Sequence, residues 1–395
     1  MHLPHVKDAD VAGKRVFLRC DLNVPLSEWH TISDTTRIDA SLKTIEHLLG
    51  QRAKLIISSH LGRPKGVADP DYSLKPVADY LTERLGSEVP LIEDYYGCEI
   101  PGSIAGLEDG NAVLLENLRF HPGETSNDPD FAACLASFAD IYVNDAFGTC
   151  HRAHASVVGV PEKLPHYAGF LIFDEVLNLT KLLDVDETGK PYVVVLGGAK
   201  VSDKIGIIEN LFDRVDAILI GGGMAFTFLK ANGHTVGRSI VQDDFVDAVS
   251  GLIGRADEAG VKLELPEDLI IADNNHPEAD WEISGVDIED PLWMGLDIGP
   301  RTINKFRGYL VNARTVFING PMGVFEYEPF EAGTKDIFQV VATSNAFSVV
   351  GGGDSIAAIT KFQLGGRFTF VSTGGGASLE FLSGIDLPGL KALTA

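Results

Sequence analysis

Four apolar runs in the second half of the chain end in Gly-Gly followed by Gly or Ala and lead directly into a helix-like stretch: "LGGAKVSDKIGIIENL", "IGGGMAFTFL", "VGGGDSIAAI" and "TGGGASLEFL". A short apolar run bounded by such a turn reads as a fully buried strand, and a strand that hands over to a helix each time builds βαβ units and a parallel sheet. In a doubly wound sheet the strand ends all point to one edge, so these loops gather there. Glycine lets the backbone come close to a ligand, and a helix start offers free N–H groups and a partial positive charge, so phosphate is the expected guest. One triplet alone also serves helix-to-sheet packing; four at one edge point to a ligand.

The first half has the same alternation without the triplets. Candidate strands are "RVFLRC", "KLIISS", "AVLLEN" and "DIYVNDA", with helical patterns at about 35–50, 73–85 and 128–138. In "SDTTRIDASLKTIEHLL" Ile38, Leu42, Ile45 and Leu48 fall on one helical face. A helix pattern at 168–184 stops near Gly-Lys-Pro, and from Pro191 the alternation restarts with "YVVVLGG", "AILIGGG", "DLIIAD", "TVFING", "FSVVGGG" and "FTFVSTGGG". With 395 residues to place, the expectation is an α/β chain of two doubly wound parallel-sheet domains.

The formal charge of −24 repels nucleic acid and anionic lipid, so a phosphate-bearing ligand must be received by a local exception. Five first-half arginines sit at strand ends, helix starts or Gly/Pro loops: Arg19, Arg37, Arg63, Arg119 and Arg152, joined there by His60 and His154. Arginine's rigid fork suits phosphate and carboxylate, although each one singly also suits a surface ion pair. In the second half, Lys200 and Lys204 stand one helical turn apart if the helix has begun, which lets both amines face one ligand. Asp354 follows a glycine triplet, where it either caps the helix or holds the Mg²⁺ of a nucleotide. Glu326 lies beyond a Gly-Pro turn, where a carboxylate can bind ribose hydroxyls. No loop fits GxxxxGK[ST] or a dinucleotide GxGxxG.

The four cysteines lie far apart without a CxxC pair, which predicts reduced thiols with neither zinc nor disulfide. The longest apolar run, "AILIGGGMAFTFL", is too short for a bilayer span, and the N-terminal residues carry no signal pattern. A cytoplasmic location without membrane contact is expected. The acidic stretch 273–291 reads as a solvated insertion.

Taken in order, "RCDLNVP", "SSHLGRPKG", "LLENLRFHPGE", "YVNDAFGTCHRAHAS", "GGAKVSDKI", "GGGMAFTFL", "NGPMGVFE", "GGGDS" and "TGGGAS" resemble the phosphoglycerate kinase family along essentially the whole chain. The resemblance implies two domains facing each other across a cleft, with 1–170 binding phosphoglycerate, 171–185 an interdomain helix, 186–379 binding nucleotide and a tail of about 380–395 packing back on the first domain. It implies reversible, direct in-line phosphoryl transfer between 1,3-bisphosphoglycerate and ADP on domain closure, in glycolysis and gluconeogenesis, with Mg²⁺ as cofactor of ATP or ADP, in a monomer. Carried over, Asp21, Asn23, Arg37, His60, Leu61, Gly62, Arg63, Arg119, Arg152 and His154 hold the phosphoglycerate. Gly198, Ala199, Lys200, Lys204, Asn319, Glu326, Gly352, Gly353, Asp354 and Ser355 hold the nucleotide, with Asp354 on the metal. Arg37, Lys200 and the Gly374, Gly375 and Gly376 loop face the moving phosphoryl. Cys20, Ile318 and Ser355 depart from the family's usual residues, and none removes a charge.

Overall fold

The computed structural model describes residues 3–394, and its packing separates two compact units: unit 1 runs to Leu177 and takes back the tail from Asp386, and unit 2 runs from Asn178 to Ile385. The division falls inside one helix, Phe170–Leu183.

Unit 1 holds strands β1 (Arg15–Cys20), β2 (Lys54–Ser58), β3 (Leu91–Ile92), β4 (Ala112–Leu115), β5 (Ile141–Asp145) and β6 (His166–Ala168), all parallel, in the order β3-β4-β2-β1-β5-β6. Their residues are buried almost without alternation, as a sheet covered on both faces requires. The helix Thr36–Gly50 buries Ile38, Leu42, Ile45 and Leu48 against this sheet, so the apolar face read from sequence is the packed one. The chain leaves β1 toward β2 on one side and returns through β5 on the other. That reversal opens a crevice at the carboxyl ends of β1 and β5, the usual place for a ligand in such sheets.

Unit 2 repeats the design with β7 (Tyr192–Leu196), β8 (Ala217–Ile220), β9 (Lys262–Glu264), β13 (Thr315–Asn319), β14 (Phe347–Gly351) and β15 (Phe370–Val371), in the order β15-β14-β13-β7-β8-β9. Here the reversal lies between β7 and β13. The run "DLIIAD" departs from the parallel expectation. As β10 (Leu269–Ala272) it is the centre of a separate antiparallel sheet, between β11 (Trp281–Ser284) and β12 (Met294–Ile298). β11 lies within the acidic stretch 273–291 and keeps most of its side chains exposed, so apolar patterning does not announce it.

The cysteine reading is also corrected. Cys98 and Cys134 form a disulfide, with Cα atoms 4.8 Å apart, while Cys20 and Cys150 are free and buried. Tertiary packing creates this pair: it joins an exposed loop to the helix Pro129–Ser137 across 36 residues, a spacing with no local signature.

The tail buries Leu387, Leu390 and Leu393, and the N–H of Gly389 donates to the carbonyl of Cys150 at 2.8 Å. A Cβ at Gly389 would stand 2.7 Å from Val157, so the approach is too close for any other residue.

Candidate active site

At the strand-end edge of unit 1, the loops after β1, β2, β4 and β5 bring together Asp21, Asn23, His60, Arg119, Arg152 and His154, and the first turn of the helix Thr36–Gly50 adds Arg37. Asp21 Oδ2 accepts from Arg37, and Asn23 Oδ1 accepts the N–H of Gly62 at 2.8 Å. Gly62 has φ +59°, and a Cβ there would run into the Tyr72 ring, so glycine is required where the "SSHLGRPKG" loop turns. The buried side chain of Asn117 fixes the neighbouring backbone by donating to the carbonyls of Leu61 and Tyr72 and accepting from Arg119 N–H. Leu61 itself is buried, whereas Arg63 is exposed at the loop's outer side.

The positive field is concentrated. Burial and four guanidiniums, those of Arg19, Arg119, Arg152 and Arg37, hold the His60 imidazole far below its ordinary range. Burial, then Arg119, Arg19 and Arg152, push His154 down to about 3. Arg119 itself is pushed down to about 10 by burial and by its neighbours Arg19 and Arg152. It gives one nitrogen to the carbonyl of Gly62, while its Nε and Nη2 are buried without a hydrogen bond. Buried donors without partners are rare in folded proteins, and here they mark a place for an anion.

Arg19, Glu124 and Ser156 belong to this centre although Arg19 was singled out only as one arginine of five and the other two not at all. All three are fully buried, and burial of this kind is set by packing across the fold.

In unit 2, the loops after β7, β13, β14 and β15 line a polar pocket of about 430 Å³ with Gly198, Ala199, Lys200, Lys204, Asn319, Gly352, Gly353, Asp354, Ser355, Gly375 and Gly376; Gly374 is buried just before them. The helix after β7 begins at Ile205, so Lys200 and Lys204 do not share a helical face as the sequence spacing allowed. They line the pocket from a turn instead. Lys200 is exposed, whereas Lys204 is buried and donates to Asn319 Oδ1. Burial lowers the Lys204 ammonium, and Asp203 and Asp354 oppose that shift. Asn319 Nδ2 is buried without a partner. Gly320, at φ +96°, lies against the carbonyl of Gly197, where a Cβ would collide; its N–H donates to Ser355 Oγ at 2.8 Å, so serine at this position keeps the hydroxyl in use.

Asp354 sits in the first turn of the helix Gly353–Lys361, whose N-cap position is taken by Gly352. It also borders a second, largely apolar pocket of about 480 Å³, walled by Phe226, Leu269, Met294, Leu296 and Val324 with Glu326 at its side. The size and lining suit a nucleoside. Sequence reading found Glu326 but none of the apolar wall, whose residues come from the helix Ala225–Ala231, β10, β12 and the loop after β13, with Phe226 and Val324 more than 90 residues apart in the chain. Asn319 lines the polar pocket and not the apolar one. Among the described residues no three His, Cys, Asp or Glu side chains are grouped to hold a metal ion by themselves. Asp354, with Asp203 as the other carboxylate on the lining of the polar pocket, fits Mg²⁺ that shares its coordination with nucleotide phosphates and water.

Residues 6–385 match the family model described as phosphoglycerate kinase. The chain is 50% identical over 391 residues to the phosphoglycerate kinase of Pseudothermotoga lettingae and 50% over 389 residues to that of Moorella thermoacetica, in each case across 98% of both chains. Its fold is similar to the structure of phosphoglycerate kinase from Coxiella burnetii, with TM-score 0.88, 41% identity and 100% and 99% of the two chains covered. It is similar also to the crystal structure of the enzyme from Pyrococcus horikoshii, with TM-score 0.84, 35% identity and 99% and 98% covered.

Proposed function

The chain belongs to the phosphoglycerate kinase family and catalyses the reversible glycolytic phosphoryl transfer between 1,3-bisphosphoglycerate and ADP that gives 3-phosphoglycerate and ATP; from this footing we propose how its residues divide the work. Unit 1 receives the phosphoglycerate and unit 2 the nucleotide. Arg119, Arg152, His60 and His154, with Asp21 and Asn23, hold the glycerate and its 3-phosphate, and Arg63 adds long-range attraction from the loop's exposed side. The observation that carries this reading is the pair of buried, unpartnered donors on Arg119 amid three other guanidiniums, in a chain of charge −24.

Both reactants are anionic, and the acyl phosphate already has a good leaving group, so no general base is needed. Rate comes from alignment and from positive charge on the equatorial oxygens of the transferring phosphoryl. Arg37 and Lys200 give that charge, a reading supported by Arg37 lying half-buried at the strand-end edge of unit 1 and Lys200 lying exposed on the polar pocket. Lys204 and Asn319 order the pocket floor, and the Gly374–Gly376 loop adds N–H groups at the start of the helix Gly376–Leu382. The apolar pocket takes the base, with Glu326 near the ribose. Asp354 would hold Mg²⁺, which would supply positive charge against the nucleotide phosphates.

Direct transfer requires the two receptors to meet with water excluded, so we further propose a closing motion about residues 168–190. Small-angle scattering should show a smaller radius of gyration with both ligands bound than with either alone. Both receptors are carried by one chain, which supports a monomer as the working unit, acting in the cytoplasm. Calorimetric titration with 3-phosphoglycerate and with glycerate tests the receptor directly. Strong preference for the phosphorylated acid, abolished in Arg119→Ala, is expected; equal binding of both acids would refute it.

A further inference from the structure

Arg19 is fully buried at the end of β1, and a buried cation needs a counter-charge. Glu124, also fully buried, is that charge, but the two never touch directly. The hydroxyl of Ser156 stands between them: it donates to Glu124 Oε1 at 2.6 Å and accepts from Arg19 Nε at 2.8 Å, while the Ser156 N–H donates to Glu124 Oε2 at 3.0 Å. An ionised carboxylate can only accept and a guanidinium can only donate, so the direction of every bond in this chain is fixed.

The far end of the guanidinium reaches His60. Arg19 Nη1 is taken by the carbonyl of Cys20, and Nη2 lies 3.3 Å from His60 Nδ1. Since the guanidinium cannot accept, Nδ1 must, and the ring proton belongs on Nε2. The charged groups that face the ring agree: Arg19, Arg37, Arg119 and Arg152 all oppose an imidazolium, and Asp21 Oδ1, at 3.9 Å from Nδ1, is too far to take a proton from it. Nε2 makes no hydrogen bond within the described residues.

We propose that the buried relay Glu124–Ser156–Arg19 locks His60 in the Nε2–H tautomer, so that the ring offers a fixed hydrogen-bond donor to the glycerate. Glu124 and Ser156 are then positioning residues that act through Arg19 and touch no substrate. Placing the carboxylate behind a serine also neutralises the buried charge without occupying the faces of Arg119 and Arg152 that an anion needs. The donor's target rests on the reading of unit 1 as the phosphoglycerate receptor; the tautomer does not.

The test uses the full-length enzyme labelled with ¹³C,¹⁵N-histidine, the His60 resonances being identified by their loss in His60→Gln. In the unmutated enzyme the ring should report the Nε2–H tautomer from pH 6 to pH 8. Ser156→Ala should mix the tautomers and raise KM for 3-phosphoglycerate about tenfold, the scale of one lost charge-assisted bond, with KM for ATP nearly unchanged. Ser156→Thr, which keeps the hydroxyl, should restore both readouts. A native Nδ1–H tautomer, or a Ser156→Ala variant with unaltered tautomer and KM, would overturn the relay. Equal rises in both KM values together with a lowered Tm would also overturn it, as the mark of a purely structural role. If the native tautomer is as stated but saturating 3-phosphoglycerate leaves the His60 resonances unmoved, the donor role and the receptor assignment fall while the relay's geometry stands.

Discussion

Arg119 Nη1 donates to the carbonyl of Gly62 at 2.7 Å, and this one bond aims the rest of the guanidinium away from its own backbone, with Nε and Nη2 left unpaired. The Gly62 bond needs only one nitrogen, which leaves the other two for the anion proposed to bind here. Arg119→Lys keeps the charge and loses the fork, so KM for 3-phosphoglycerate should rise about 10- to 100-fold with KM for ATP little changed. Steady-state kinetics with each substrate varied in turn will show this, and an unaltered KM would remove Arg119 from the receptor.

The two pocket lysines should separate cleanly. Lys200 is exposed and Lys204 is buried against Asn319. Lys200→Ala is expected to lower kcat by more than ~100-fold, the scale for loss of one preorganised electrostatic stabiliser, while Tm stays the same. Lys204→Ala should lower both, because it also leaves the Asn319 side chain without its partner. Arg37→Ala should lower kcat as Lys200→Ala does, and Tm as well, because it leaves the Asp21 carboxylate without its partner. Thermal unfolding measured beside kcat distinguishes the cases.

The buried histidines give the fold an acid limit. His154 falls from its ordinary 6.5 to about 3 in the folded chain, so the unfolded chain takes up the proton first. Stability that is complete above about pH 6.5 is therefore lost as the pH falls toward 3, by about 2 kcal/mol from this residue at pH 5. His60 adds in the same direction. Urea midpoints at pH 7 and pH 5 should differ in the native chain, and His154→Gln should flatten that difference.

The Cys98–Cys134 bond can be counted. Denatured but unreduced protein should react with thiol reagents at two cysteines, Cys20 and Cys150, and at four after reduction. Closing a loop of this length stabilises by up to about 4 kcal/mol through the unfolded state, so Cys98→Ser should lower stability by about 2–4 kcal/mol. Four reactive thiols without reduction would show that the bond does not form.

Legibility in the sequence followed how local each feature is. The strand-glycine-helix loops were readable because glycine, the strand before it and the helix after it are neighbours, and the apolar face of Thr36–Gly50 was readable because it repeats every turn. The sheet of β10, β11 and β12 was not, since β11 shows water a mixed face and β12 is interrupted by Gly295 and Asp297. Whether a helix has begun by Lys204 stays open in the sequence, because the spacing of two lysines cannot reveal where the first helical hydrogen bond closes; the helix begins at Ile205. Glu124 and Ser156 look like surface residues in any window of the sequence, and only the folded sheet buries them beside Arg19. The disulfide and the wall of the apolar pocket were hidden for the same reason.

The docking of Gly389 on Cys150 reaches into timing. During synthesis, residues 386–394 emerge after the whole of unit 2, yet they pack against the segment from Cys150 to Val157 that carries Arg152 and His154. When unit 2 is complete in a nascent chain, unit 1 therefore still lacks its last wedge, so on the proposed division of labour the acid receptor is the later of the two to be finished.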